Sequence, residues 1–109
     1  MTPASELLSE VEARGVAVKR HGEFLELKPK SLLTAELLER IKTCKPQLLV
    51  LVKVREALAN GRRLSALEIR AKTGLEHREL YEALGELYDW YEVDTDLDGR
   101  YWLVKQTVN

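Results

Sequence analysis

The chain has 109 residues, 45% apolar and 32% charged, with 17 basic side chains against 18 acidic ones. That is the composition of a soluble globular protein, sized for one ordinary domain or for two very small modules sharing a core, and the near balance of charge names no polyanionic partner. One cysteine, Cys44, excludes an internal disulfide, no signal peptide is legible, and the longest apolar run, residues 48–52, is far too short to span a bilayer, so a cytoplasmic protein without membrane contact is expected.

Thr2 and Pro3 suit a helix start, since proline at the first helical position gives up no needed donor and threonine accepts from a free N–H. Leu7, Leu8 and Val11 follow at helical spacing, and Gly15 supplies the stop. The stretch "VAVKRHGEFLELKP" then predicts a hairpin turning at His21-Gly22. In that register Arg20 faces Glu23, Val18 faces Leu25 and Val16 faces Leu27, while Phe24 lies on the opposite side with Ala17, Lys19 and Glu26, and Lys19 directly across from it.

Pro29 ends the hairpin, and Thr34 caps a helix whose Leu37, Leu38 and Ile41 recur at helical spacing. Pro46 opens another, "PQLLVLVKVREALAN", closed by Gly61. Apolar side chains surround this helix, which predicts burial on all sides and one helix serving both halves of the chain.

Residues 6–54 resemble the TubC-type N-terminal docking domain of nonribosomal peptide and polyketide synthases. The resemblance rests on Leu7-Leu8, Gly15-Val16, Gly22, Leu25, the "LT.ELL..I" run from Leu33 to Ile41, Lys45 and Leu48-Leu49. It implies a helix-hairpin-helix-helix fold that captures the short C-terminal tail of another protein along its hairpin by strand addition. Carried onto this chain, the capture surface is Lys19, Arg20, Phe24, Glu26 and Lys28, facing an extended, acidic peptide. Some docking domains of this type pair, so a homodimer is one expected state.

From Ser65 onward the pattern changes. Ser65 and Glu68 are spaced as a capping box, Thr73-Gly74 reads as a turn, and Leu80, Leu84 and Leu87 form the core stripe of a second helix. Two strands follow around Asp98-Gly99, with Trp90, Tyr101, Trp102 and Val104 read as the core of that wing. The whole of residues 55–105 resembles the winged helix-turn-helix superfamily, with Ile69, Gly74, Leu75, Leu80, Ala83, Leu84 and Leu87 at the expected places. The fold class expected is therefore α+β, with a docking module over residues 1–54 and a winged-helix module over residues 55–109.

Winged helices often bind DNA, but the charge lies elsewhere. Residues 1–60 hold ten basic and eight acidic side chains, whereas residues 61–109 hold seven and ten. Glu79, Glu82 and Glu86 form an acidic stripe on the helix that would face the groove, where phosphates call for lysine and arginine. The stripe reads as a solvated face or as a site for a basic protein partner. Otherwise DNA is read by the helix start, through His77 and Arg78, with Arg62, Arg63, Lys72 and Arg100 on phosphates.

The run "DTDLDG" copies the start of a calcium loop, but its twelfth position is Lys105 where a bidentate glutamate belongs, so no metal is expected. His21 and His77 fall in different modules, Cys44 has no histidine nearby in sequence, and there is no phosphate-binding glycine loop. Neither a cofactor nor an enzyme is expected. The reading is a non-enzymatic adaptor that captures a partner's tail on its hairpin and uses its winged helix mainly for protein contacts. The alternative is a DNA-binding regulator or an accessory factor of DNA replication or of a mobile element.

Overall fold

The structure, a computed structural model, describes residues 4–89 and 92–104. The chain divides into two compact units, Met1–Val52 and Lys53–Asn109. The expected helix start at Thr2 and Pro3, the wing residue Trp90 and the calcium-loop position Lys105 lie outside the described residues.

In the first unit, α1 (Ala4–Ala13) leads to a two-stranded antiparallel sheet, β1 (Ala17–His21) and β2 (Phe24–Lys28), then to α2 (Ala35–Thr43) and the start of α3 (Lys45–Ala57). Leu7, Leu8 and Val11 of α1 are buried, as are Val16, Leu27, Leu37, Ile41 and Leu48. Thr34 caps α2, its hydroxyl accepting from the Leu37 N–H at 3.1 Å. Arg40 of α2 donates to Glu10 of α1 at 3.2 Å.

The hairpin register differs from the expected one. Its turn is Gly22-Glu23, with Gly22 at φ +62°, and the pairs are His21 with Phe24, Arg20 with Leu25, Lys19 with Glu26 and Val18 with Leu27. Glycine takes the left-handed conformation that such a turn needs, and it does so one place earlier in the loop than the sequence suggested. Because each residue's pairing partner moves by two positions, no side chain changes face. What changes is the company: Lys19 stands across from Glu26, and His21 across from Phe24.

The division between units falls inside α3, between Val52 and Lys53. Leu48, Leu49, Leu51, Val52, Val54 and Ala57 of this helix are buried, with exposure confined to Lys45, Pro46, Gln47 and Glu56. The expected closure at Gly61 takes the form of a 3-10 turn over Ala59–Gly61, with Gly61 at φ +72°.

The second unit holds β3 (Leu64–Ser65), α4 (Ala66–Thr73), α5 (His77–Asp89), β4 (Val93–Thr95) and β5 (Arg100–Leu103). The three strands form an antiparallel sheet in the order β3-β5-β4. Ser65 and Glu68 complete a capping box at the start of α4, and Gly74 ends that helix in the left-handed conformation at φ +71°. Ile69, Leu75, Leu80, Ala83, Leu84 and Leu87 are buried with Leu64 and Val93 of the sheet.

The β4–β5 loop is organised by Asp96, whose carboxylate accepts from the Asp98 and Arg100 N–H groups at 2.9 and 3.1 Å. The wing aromatics do not all serve the core. Neighbouring strand residues point to opposite faces, so Tyr101, paired with Leu64 and Thr95, shares the buried side, whereas Trp102 lies on the other side, opposite Asp94. Val104, also expected in the core, is 50% exposed.

Candidate protein-docking site

The hairpin alternates, so one face packs against the helices and the other is left to solvent. The outer face carries Ala17, Lys19 and His21 from β1 and Phe24, Glu26 and Lys28 from β2. Phe24 is 71% exposed, and the Lys45 ammonium at the start of α3 stands 5.5 Å from the centre of its ring, within cation–π range.

Glu26 sits in the middle of this face. It meets His21 Nε2 at 3.1 Å, diagonally across the strands, and Lys28 Nζ at 3.3 Å. Hydrogen bonding to His21, then to Lys28, holds the Glu26 carboxyl below the usual glutamate range. With Lys19, Lys28 and Lys45 counted against this one carboxylate, the face is net positive.

Arg20 departs from the expected capture surface. It lies on the opposite face from Phe24, across from Leu25, and its guanidinium turns back to donate to the Gly22 carbonyl at 2.8 Å. Lys45 and His21, which the expected surface did not include, stand beside Phe24. Lys45 is 21 positions beyond Phe24 on a separate helix, and no local spacing joins them; His21 was read as a turn residue.

Each strand of the two-stranded sheet has one edge with no neighbouring strand in that sheet. Such an edge presents main-chain donors and acceptors to an added strand.

On the second unit, Glu79 accepts from the Glu76 N–H at 3.2 Å and so closes the start of α5, while Glu82 pairs with Arg78 at 3.2 Å. Glu86 is half-buried. Two of the residues expected at DNA are likewise engaged within the protein: Arg63 stacks on Trp102 at 4.2 Å, and His77 lies against Tyr81 at 4.5 Å between ring centres. Lys72 and Arg100 both lie close enough to Glu68 to favour its ionised form, although the larger cause of its lowered pKa is the hydrogen bond from the Ser65 N–H. Arg62 is exposed.

Among the described residues no three His, Cys, Asp or Glu side chains converge as metal ligands, and no helix is long and apolar enough to cross a membrane. Asp96, the central carboxylate of the calcium-like run, is turned onto its own loop. Cys44 is a half-buried free thiol.

Geometry of this kind defines a class: a small α+β protein whose hairpin holds an exposed aromatic among charged side chains. Residues 5–53 match the family model of the TubC N-terminal docking domain, a span that nearly coincides with the first unit and covers a little under half the chain. Over that span the first unit is similar to the TubC N-terminal docking domain. Comparison with curated proteins and with solved structures gives no significant match.

Proposed function

We propose that the protein is a non-enzymatic adaptor whose first unit captures an extended, acidic tail of a partner protein along the outer face of its hairpin. The observation that carries this reading is Phe24, held 71% exposed on a face with Lys19 and Lys28 and under the Lys45 ammonium. An aromatic kept in water at that cost in apolar exposure is a ready anchor, and the surrounding ammonium groups select a partner of opposite charge. A hairpin edge supplies main-chain hydrogen bonds to an incoming strand.

The second unit is read as a winged helix used mainly for protein contacts. Support for the winged helix is the order of elements after α3, strand, helix, helix, strand, strand, with the first strand joined to the last pair in one antiparallel sheet. Protein rather than DNA is favoured because α5 carries Glu79, Glu82, Glu86 and Asp89 against Arg78 alone among fixed charges.

Adding a short peptide that alternates glutamate and leucine to isotopically labelled protein tests the hairpin assignment. Amide shifts concentrated in β1, β2 and the first turn of α3 are expected. Shifts concentrated on α5 and absent from the hairpin would overturn it. Strong, salt-sensitive binding of duplex DNA would favour the DNA-binding reading instead.

A further inference from the structure

The outward side of α5 carries an aromatic groove that the hairpin reading does not use. Tyr81, Gly85, Tyr88 and Asp89 of the helix and Tyr101 of β5 line an open groove of about 270 Å³. Tyr81 and Tyr88 are 45% and 51% exposed, and residues 81, 85 and 88 fall on one stripe of the helix.

Gly85 lies at the centre of that stripe. Its backbone is not in the left-handed region, and a Cβ placed there would meet nothing within 4 Å, so neither conformation nor internal packing calls for glycine. Glycine inside a helix weakens it, and its use there is to let another chain approach the backbone closely. Here it leaves the floor of the groove open between two tyrosine rings.

Charge decides what fits. Asp89 lines the groove, and α5 as a whole has four carboxylates against one guanidinium, which is already paired with Glu82. Tyrosine faces attract cations as well. We propose that this groove docks a basic, extended segment of a partner protein, with a lysine or arginine laid across the tyrosine faces and its charge set against Asp89. The proposal deepens the reading of the second unit as a protein-contact module and is independent of capture at the hairpin.

Two labelled peptides, one alternating lysine and leucine and one alternating glutamate and leucine, are titrated into the full chain by fluorescence anisotropy. The lysine peptide is expected to bind. Gly85→Gln, which fills the groove floor with a helix-favouring side chain and should raise the melting temperature, is expected to weaken that binding by about tenfold or more. Asp89→Asn should weaken it at low salt more than at high salt. Phe24→Ala should leave it unchanged.

No binding of the lysine peptide, equal binding by Gly85→Gln, or loss of binding on Phe24→Ala would each overturn the proposal. So would a wild-type dimer that Gly85→Gln converts to monomers, since the occupant would then be a second copy of the chain. The glutamate peptide reports on the hairpin alone. Its indifference to Phe24→Ala, with the lysine-peptide results as expected, would sink the capture reading and leave the groove standing.

Discussion

Lys45 Nζ stands 5.5 Å above the ring of Phe24, so the first turn of α3 reaches over the most exposed aromatic of the hairpin. A cation held against an aromatic that remains in water prepares one spot for both an apolar contact and a negative charge.

Truncating the ring separates binding from folding. Phe24→Ala removes little buried surface, so stability should change by no more than about 0.5 kcal/mol, as for other surface substitutions. Capture of an acidic peptide should weaken by roughly 1 to 3 kcal/mol, the range for loss of an interface anchor. Thermal melts and peptide titration of the same variant check both halves. A variant that unfolds, while its folded fraction still captures normally, would make Phe24 a core residue.

Charge on the same face should act through screened electrostatics. Lys19→Glu is expected to weaken capture of the acidic peptide more at low salt than at high, because a Debye length of about 10 Å at 0.1 M ionic strength removes most of the longer-range attraction. Equal weakening at both salt concentrations would mean that Lys19 acts by shape and not by charge.

The Glu26 carboxylate gives the hairpin a pH dependence of known sign. Its folded pKa lies below the ordinary glutamate value, chiefly through the hydrogen bond with His21 and then that with Lys28. A lowered folded pKa means that the contribution is fully present above the unfolded value and is lost as pH falls through the folded one. Carboxylate NMR should therefore show Glu26 titrating below an unstructured glutamate, and His21→Ala should move its midpoint up. An unmoved midpoint in that variant would show that His21 is not the main partner.

At the start of α4 the capping box can be tested singly. The Ser65 hydroxyl accepts from the Glu68 N–H at 3.2 Å, and the Glu68 carboxylate accepts from the Ser65 N–H at 3.0 Å. Ser65→Ala should cost about 1 kcal/mol in chemical denaturation, while Ser65→Asp, which keeps an acceptor, should cost much less. Equal losses in the two variants would argue that the cap is not what Ser65 contributes.

Replacing Glu79, Glu82 and Glu86 with glutamine removes repulsion from phosphate while keeping shape, and an amide oxygen at position 79 still accepts from the Glu76 N–H. Any affinity for duplex DNA should then rise or stay absent. A marked fall would mean that the carboxylates read bases, for instance by accepting from cytosine.

Much of the local structure was legible because its causes are local. Alternation in "VAVKRHGEFLELKP" divides the hairpin into an aliphatic face and a face with Phe24, and that division survives the change of turn because pairing partners moved by an even number of residues. Ser65 with Glu68 marks the start of α4 and Thr34 that of α2, each through contacts within one turn of chain, and the run of apolar residues in α3 marks a helix that must be covered. Other facts required the third dimension. Turn position depends on which residue takes positive φ, and placing Gly22 first in the loop put Glu26, not Phe24, across from Lys19. Adjacent Tyr101 and Trp102 look alike in sequence but face opposite sides of the sheet, so only one shares the side of Leu64 and Val93 while the other stacks with Arg63. Lys45 over Phe24, and Tyr101 beside Tyr81 and Tyr88, join residues far apart in the chain, and such pairings are set by how helices lie on sheets, which no spacing along the sequence encodes.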